Sequence, residues 1–238
     1  MNNWDTLSTK FNVHKKEEEI DPEAADNILL AWPPIVSLIT QHFNSSKNQN
    51  LIALDYGCGT GGFANKLNSL GFVVTGADES EGMLQLARQS VDKNITLLNS
   101  KDIPHDSHYD LISGIMVFQF VEDIEEAFKQ LVARLNKGGL IIFAVFNPRF
   151  ISTCLQAQVL FSHFDSLENP KVGLMDFSKD IHIPTYIRTA AEYDKLMKEL
   201  GLTKQLEIYP PFTEEFLKQY AWDLPANEPE YLILGYAL

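Results

Sequence analysis

The chain has 238 residues, 45% of them hydrophobic, enough for one sizeable α/β core with a modest additional segment. Its 19 basic and 32 acidic side chains leave a formal charge of −13, a field that repels phosphate backbones and argues against a nucleic-acid partner. No run approaches the roughly 20 apolar residues of a membrane helix, and Met1 to Lys10 is polar, so a soluble, unexported, cytoplasmic chain with no membrane partner is expected.

In chain order, residues 1–50 are expected to form a helical cap. Its helix runs from Glu23 to Phe43 and is bent or split at Pro33-Pro34, because proline removes a donor and clashes with the preceding turn. Before it, Lys15 and Lys16 run straight into Glu17, Glu18 and Glu19, which reads as a solvated charge run. From Asn50 to Phe146 apolar runs alternate with turn signals in the βαβ rhythm of a parallel sheet. Strands are predicted at Leu51 to Tyr56, Phe72 to Ala77, Ile95 to Asn99, Tyr109 to Met116 and Leu140 to Phe146. Helices are predicted at Thr60 to Leu70, at Glu81 to Gln89 behind an N-capping Ser80, and at Glu122 to Asn136. Residues 147–188 break the rhythm with Pro148, Pro170 and Pro184 and read as an insertion over the site. Residues 189–238 restore it, with a helix from Ala190 to Leu200 and strands at Thr203 to Tyr209 and Tyr231 to Tyr236.

The segment Leu54-Asp55-Tyr56-Gly57-Cys58-Gly59-Thr60-Gly61-Gly62 lies between a predicted strand and a predicted helix. Glycines there allow positive φ and close approach of a ligand, and the following helix offers free N–H groups to an anion. Gly57, Gly59 and Gly62 also satisfy the dinucleotide pattern G-x-G-x-x-G, so the loop alone leaves the ligand open. Asp78 ends the second strand 21 residues after Gly57, where an acid can accept from both ribose hydroxyls. It supports an adenosine-containing cofactor without choosing one.

Asp55-x-Gly57-x-Gly59-x-Gly61 resembles the first motif of the class I S-adenosylmethionine (SAM)-dependent methyltransferases. That resemblance implies a doubly wound α/β fold, a seven-stranded, mostly parallel sheet with a reversed last strand. It also implies SAM as cofactor, S-adenosylhomocysteine (SAH) as product, and Asp55 near the ligand's amino group. Amides of Gly57, Cys58, Gly59, Thr60 and Gly61 would meet the amino-acid portion, and Asp78, with Glu79 and Met83 beside it, the ribose side. A carboxylate beside an ammonium group suits a zwitterion, whereas a pyrophosphate would gain nothing from Asp55. Asn99-Ser100-Lys101-Asp102-Ile103-Pro104 resembles the family's adenine-side segment, with Asn99 where an acid is common, so that Lys101, Asp102 and Ile103 stand as the contacts. Ser113 to Asp123 resembles the fourth motif, which places Gly114 and Ile115 beneath the methyl group and Gln119 where many members carry histidine. Leu135-Asn136-Lys137-Gly138-Gly139-Leu140 resembles the turn from helix to strand five.

Methyl transfer from a sulfonium is an in-line displacement with a good leaving group, so positioning and desolvation supply much of the acceleration. If the acceptor must lose a proton, His182 and Tyr186 are the preferred candidates, with His14, His105 and His163 as other available side chains. Asn147 and Arg188 would face a small-molecule methyl acceptor, Arg188 by pairing with an acidic group on it. Trp4, Trp32, Phe118 and Phe146 are candidates for an aromatic cage. No metal site is expected, since C-x-x-C, H-E-x-x-H and spaced carboxylate-histidine clusters are all missing from the sequence. The chain is expected to act as a monomer or homodimer.

Overall fold

In a computed structural model, which describes residues 3–8, 10–11, 22–44 and 50–238, the alternating apolar runs form a seven-stranded sheet. His14 and the charge run at 15–19 lie outside the described residues. In chain order the strands of this sheet are β1 (Ile52–Tyr56), β2 (Val73–Asp78), β3 (Thr96–Asn99), β4 (Tyr109–Ile115), β5 (Leu135–Phe146), β9 (Thr203–Ile208) and β10 (Tyr231–Ala237). They lie side by side as β3-β2-β1-β4-β5-β10-β9, parallel from β3 to β5, with β10 antiparallel to both its neighbours. This is the expected doubly wound architecture with a reversed last strand. The chain winds outward from β1 to β3 and then returns to β4, so a crevice opens where β1 and β4 end side by side, the usual ligand position in such sheets.

Near-continuous apolar runs in these strands are explained by cover on both faces. Ala53, Leu140, Ile142 and Ile233 face one core, shared with α3 (Trp32–His42) and α4 (Gly62–Ser69). The alternating Leu54, Ile141, Phe143 and Leu234 face the other, shared with α6 (Ile124–Val132) and α8 (Ala190–Glu199). A fourth helix of the winding, α5 (Glu81–Ser90), is capped by Ser80 as predicted, its side chain accepting from the Met83 N–H.

Two boundaries differ from the sequence reading. The N-terminal helix is not broken at Pro33-Pro34 but ahead of them: α2 (Pro22–Asp26) passes into a π-helical turn at Asn27–Ala31, where the Trp32 N–H donates to Asn27 O, and then into α3. The widened turn puts both prolines in the first turn of α3, where no amide donor is required. Helix α6 stops at Val132, four residues before Asn136, because β5 begins at Leu135 opposite Tyr109. Pairing then steps from Tyr109↔Leu135 to Leu111↔Leu140, with Gly138 at φ 79° in the excursion, so Lys137-Gly138-Gly139 lies within a strand and is no turn between helix and strand.

The segment 147–188 consists of α7 (Pro148–Ala157) and a three-stranded antiparallel sheet of β6 (Phe161–Ser162), β7 (Val172–Ser178) and β8 (Ile181–Tyr186). Phe150, Ile151, Cys154, Met175 and Ile187 give it a core of its own, joined to the main sheet at Phe146. Helix α9 (Glu214–Gln219), capped by Thr213, was not foreseen; it buries Phe216 against the main core.

Candidate active site

Strand β1 carries Asp55 to the crevice, and the parallel register sets Ser113 of β4 opposite it. The Ser113 hydroxyl donates to Asp55 Oδ1 at 2.7 Å, while Oδ2 is buried without a hydrogen-bond partner. Burial, reinforced by the charge of Asp78, pushes the Asp55 carboxyl up to about 7 against the pull of the Ser113 hydrogen bond. A buried carboxylate oxygen left unpaired is costly, and a cationic ligand group relieves that cost.

After β1 the backbone turns through Gly57, Gly59 and Gly61 at φ 70°, 54° and 84°. The amides of Gly57 and Cys58 donate to Ala77 O at 2.7 and 3.0 Å, locking the loop to β2. At Gly57 and Gly61 a Cβ would strike Val117 and Val91, whereas at Gly59 it would meet nothing within 4 Å. Gly59 is therefore the place where the loop leaves room for a ligand. Asp78 braces the loop, its Oδ2 accepting from Gly59 N–H at 2.8 Å and its Oδ1 from Ser80 N–H at 2.9 Å. Burial raises the Asp78 carboxyl as well, and it drives the neighbouring Cys58 thiol well above its ordinary value, which makes that sulfur inert.

A cavity of about 280 Å³ opens on this loop. Asp55, Gly57, Cys58, Gly59, Thr60, Asp78, Glu79, Met83 and Ile115 line it, as do Gln119 and Phe146, all singled out from sequence. Gln119, 1% exposed, has an unpartnered Oε1, and its Nε2 meets only Met116 Sδ at 3.7 Å.

Other sequence candidates sit elsewhere. Gly61 is the N-cap of α4, and Gly114 lies under the Phe118 ring, which a Cβ would approach to 2.5 Å. Lys101 and Asp102 occupy a 3-10 turn whose Ser100 lines the cavity in their place, and Ile103 is buried in the core on the α6 side. Phe118 belongs to that core, packed on Phe128 and Phe143. Asn147 caps α7 and donates to Pro229 O at 2.8 Å. His182 is exposed on β8, held by Asp176 at 2.5 Å and raised by that hydrogen bond, and neither it nor Tyr186 lines the cavity.

Arg188 spends its guanidinium on backbone: it donates to the carbonyls of Phe118, Val121 and Glu122 at 3.4, 2.9 and 2.7 Å. It thereby fixes the turn that carries Gln119 and Phe120 into the cavity. Arg188→Ala is expected to lower stability by about 1–3 kcal/mol, read from urea unfolding, because those carbonyls lose charged donors. Sequence reasoning missed Phe11, Met175, Phe177 and Leu224 in the lining; they are ordinary apolar residues, brought in from the N-terminal segment, the insertion and the stretch before β10.

A family model described as a methyltransferase domain matches residues 18–207. A malonyl-[acyl-carrier protein] O-methyltransferase of Priestia megaterium is 30% identical over 152 residues, covering 61% of this chain and 53% of that protein. A ubiquinone biosynthesis O-methyltransferase of Rickettsia bellii is 29% identical over 118 residues, 48% of each. The chain thus spans about half the length of these curated relatives. Among solved structures, the SAH-bound magnesium protoporphyrin IX methyltransferase of Synechocystis superposes with a TM-score of 0.66 at 15% identity, over 98% of this chain and 94% of that one. The fold is that of the class I SAM-dependent methyltransferases. The chain belongs to the methyltransferase-domain family.

Proposed function

We propose that this chain binds SAM and methylates a small, largely apolar acceptor, acting chiefly by positioning. The observation that carries the reading is the joining, in one cavity, of a glycine loop flanked by two buried carboxylates to a wall of Phe120, Phe146, Met175 and Phe177. The residues fit the cofactor: the unpaired Asp55 Oδ2 suits an ammonium group, and the room beside Gly59 suits a backbone-contacting amino-acid moiety. When bound, SAM supplies a methyl group activated by its positively charged sulfur. Asp55 would hold the amino end, Asp78 and Glu79 the ribose side, and Met83 and Ile115 would pack on the apolar portion. Gln119, which cannot serve as a base near neutral pH, would orient the acceptor through its unpartnered Oε1. The apolar wall excludes water from the acceptor side.

The relatives' names point to acyl-carrier-bound malonyl, quinone-precursor and porphyrin acceptors, so the test is transfer of labelled methyl from SAM across such a panel. Label should enter one of these acceptors and be lost in Gln119→Leu with SAH affinity kept. Equal transfer by Gln119→Leu to every acceptor would remove Gln119 from the reading.

A further inference from the structure

Charge is unevenly supplied to the cavity. Four carboxylates line it, those of Asp55, Asp78, Glu79 and Glu230, and among the described residues no lysine, arginine or histidine does. Two cations stand close by without lining it. Arg188 is engaged by the carbonyls of the turn that carries Gln119, and Lys10, just beyond α1 (Asn3–Leu7), lies over the Phe177 ring at 5.7 Å from its centre.

Asp55, Asp78 and Glu79 belong to the glycine-loop end, where the ammonium and hydroxyls of the proposed cofactor account for them. Glu230 belongs to the other end. It precedes β10 beside the apolar wall: its carbonyl accepts from the Asn147 N–H at 2.7 Å, and the next residue, Tyr231, pairs with Phe146. Its side chain is turned toward α7, where burial and then the charge of Glu230 push the Cys154 thiol up to about 12. At 6% exposure that charge is little screened by water, so it acts strongly on whatever fills the acceptor end.

The amides lining the cavity have the same polarity. Gln119 Nε2 meets Met116 Sδ at 3.7 Å, which leaves the buried, unpartnered Oε1 as the end to offer a ligand. Asn27 Nδ2 donates to Asp26 Oδ1 at 3.1 Å, so this amide too has its carbonyl oxygen to offer. Carboxylate and amide oxygens accept hydrogen bonds and cannot donate them.

We propose that the acceptor end selects an aromatic hydroxyl or amine compound that carries no anionic group, through the Glu230 carboxylate and the Gln119 oxygen. Such a compound donates to both oxygens and lays its ring on Phe120, Phe146 and Phe177. A carboxylate or phosphate in the same place would be buried beside a like charge with no cation to pair it, an arrangement that excludes a ligand more strongly than poor fit does. This selection presupposes the reading of the cavity as a SAM site with an acceptor beside it. SAM itself carries a single net positive charge, which the carboxylates outnumber.

The test is a saturation-transfer NMR titration of the SAH-loaded protein with 4-methylphenol, 4-hydroxybenzylamine and 4-hydroxybenzoate, which share a phenol and differ in the charge opposite it. The first two should bind about tenfold or more tighter than the benzoate. Glu230→Gln, which removes the charge and keeps the shape, should narrow that gap by about threefold or more while SAH affinity holds. Benzoate bound as tightly as the others, a gap unchanged in Glu230→Gln, or binding of none of the three would overturn this selection. Wild-type protein that retains no SAH would overturn the SAM-site reading itself. Should Glu230→Gln fail to fold, the order of the three compounds on the wild type decides alone.

Discussion

Asp55→Asn is expected to weaken SAM binding by about 100-fold or more, the scale of removing one partner of a buried charge pair, and yet to stabilise the cofactor-free protein at neutral pH. Asp55 ionises near 3.8 in an unfolded chain and near 7 in the folded one, so between those values the folded state holds the extra proton. Stability from this group is therefore full below about pH 4, is lost as pH rises through 7, and stays lost above. Asparagine keeps the Ser113 hydrogen bond without the buried charge. Urea unfolding should show the variant more stable than the wild type by about 2–4 kcal/mol at pH 8 and little different at pH 4. The same proton predicts that SAM affinity of the wild type falls as pH drops below 7, because Asp55 must ionise to face an ammonium group. A variant that is less stable at pH 8, or that binds SAM as the wild type does, contradicts this role.

Gly57→Ala and Gly59→Ala should fail in different ways. Both positions have positive φ, which costs an L-residue about 1–2 kcal/mol. At Gly57 the new Cβ would also lie 2.5 to 3.2 Å from three carbons of Val117, a β-branched side chain with little freedom to move away, so a total loss of about 3–5 kcal/mol is expected. At Gly59 the Cβ meets open space, and the loss should stay near the backbone cost of about 1–2 kcal/mol. The methyl would then stand where the ligand lies, so Gly59→Ala should lose SAH binding while keeping its fold. Thermal melts with and without SAH separate the two.

The glycine-loop end of the cavity was legible because its pattern is local: a strand, a turn needing positive φ and an acid at the next strand end fall within 54–78. The apolar wall was legible only at aromatic candidates such as Trp4 and Phe146, because the rest of it is assembled from residues distant in sequence and of the most ordinary apolar kinds, such as Phe11, Met175, Phe177 and Leu224. Arg188 shows the same limit from the other direction. Its charge suggested a substrate anion, but burying a turn without regular pairing leaves carbonyls that need donors, and the guanidinium serves them. The parallel winding was readable from the βαβ rhythm, whereas the early end of α6 was not, since Leu135 fits the helical period equally well and only its pairing with Tyr109 decides.

Calorimetric titration of the wild-type protein with SAM, SAH and NADH tests the central claim most directly. Micromolar binding of both sulfur ligands, weakened tenfold or more in Asp78→Ala and with NADH inert, is the predicted result. Binding of NADH with no heat from SAM or SAH would contradict it and make the glycine loop a dinucleotide site.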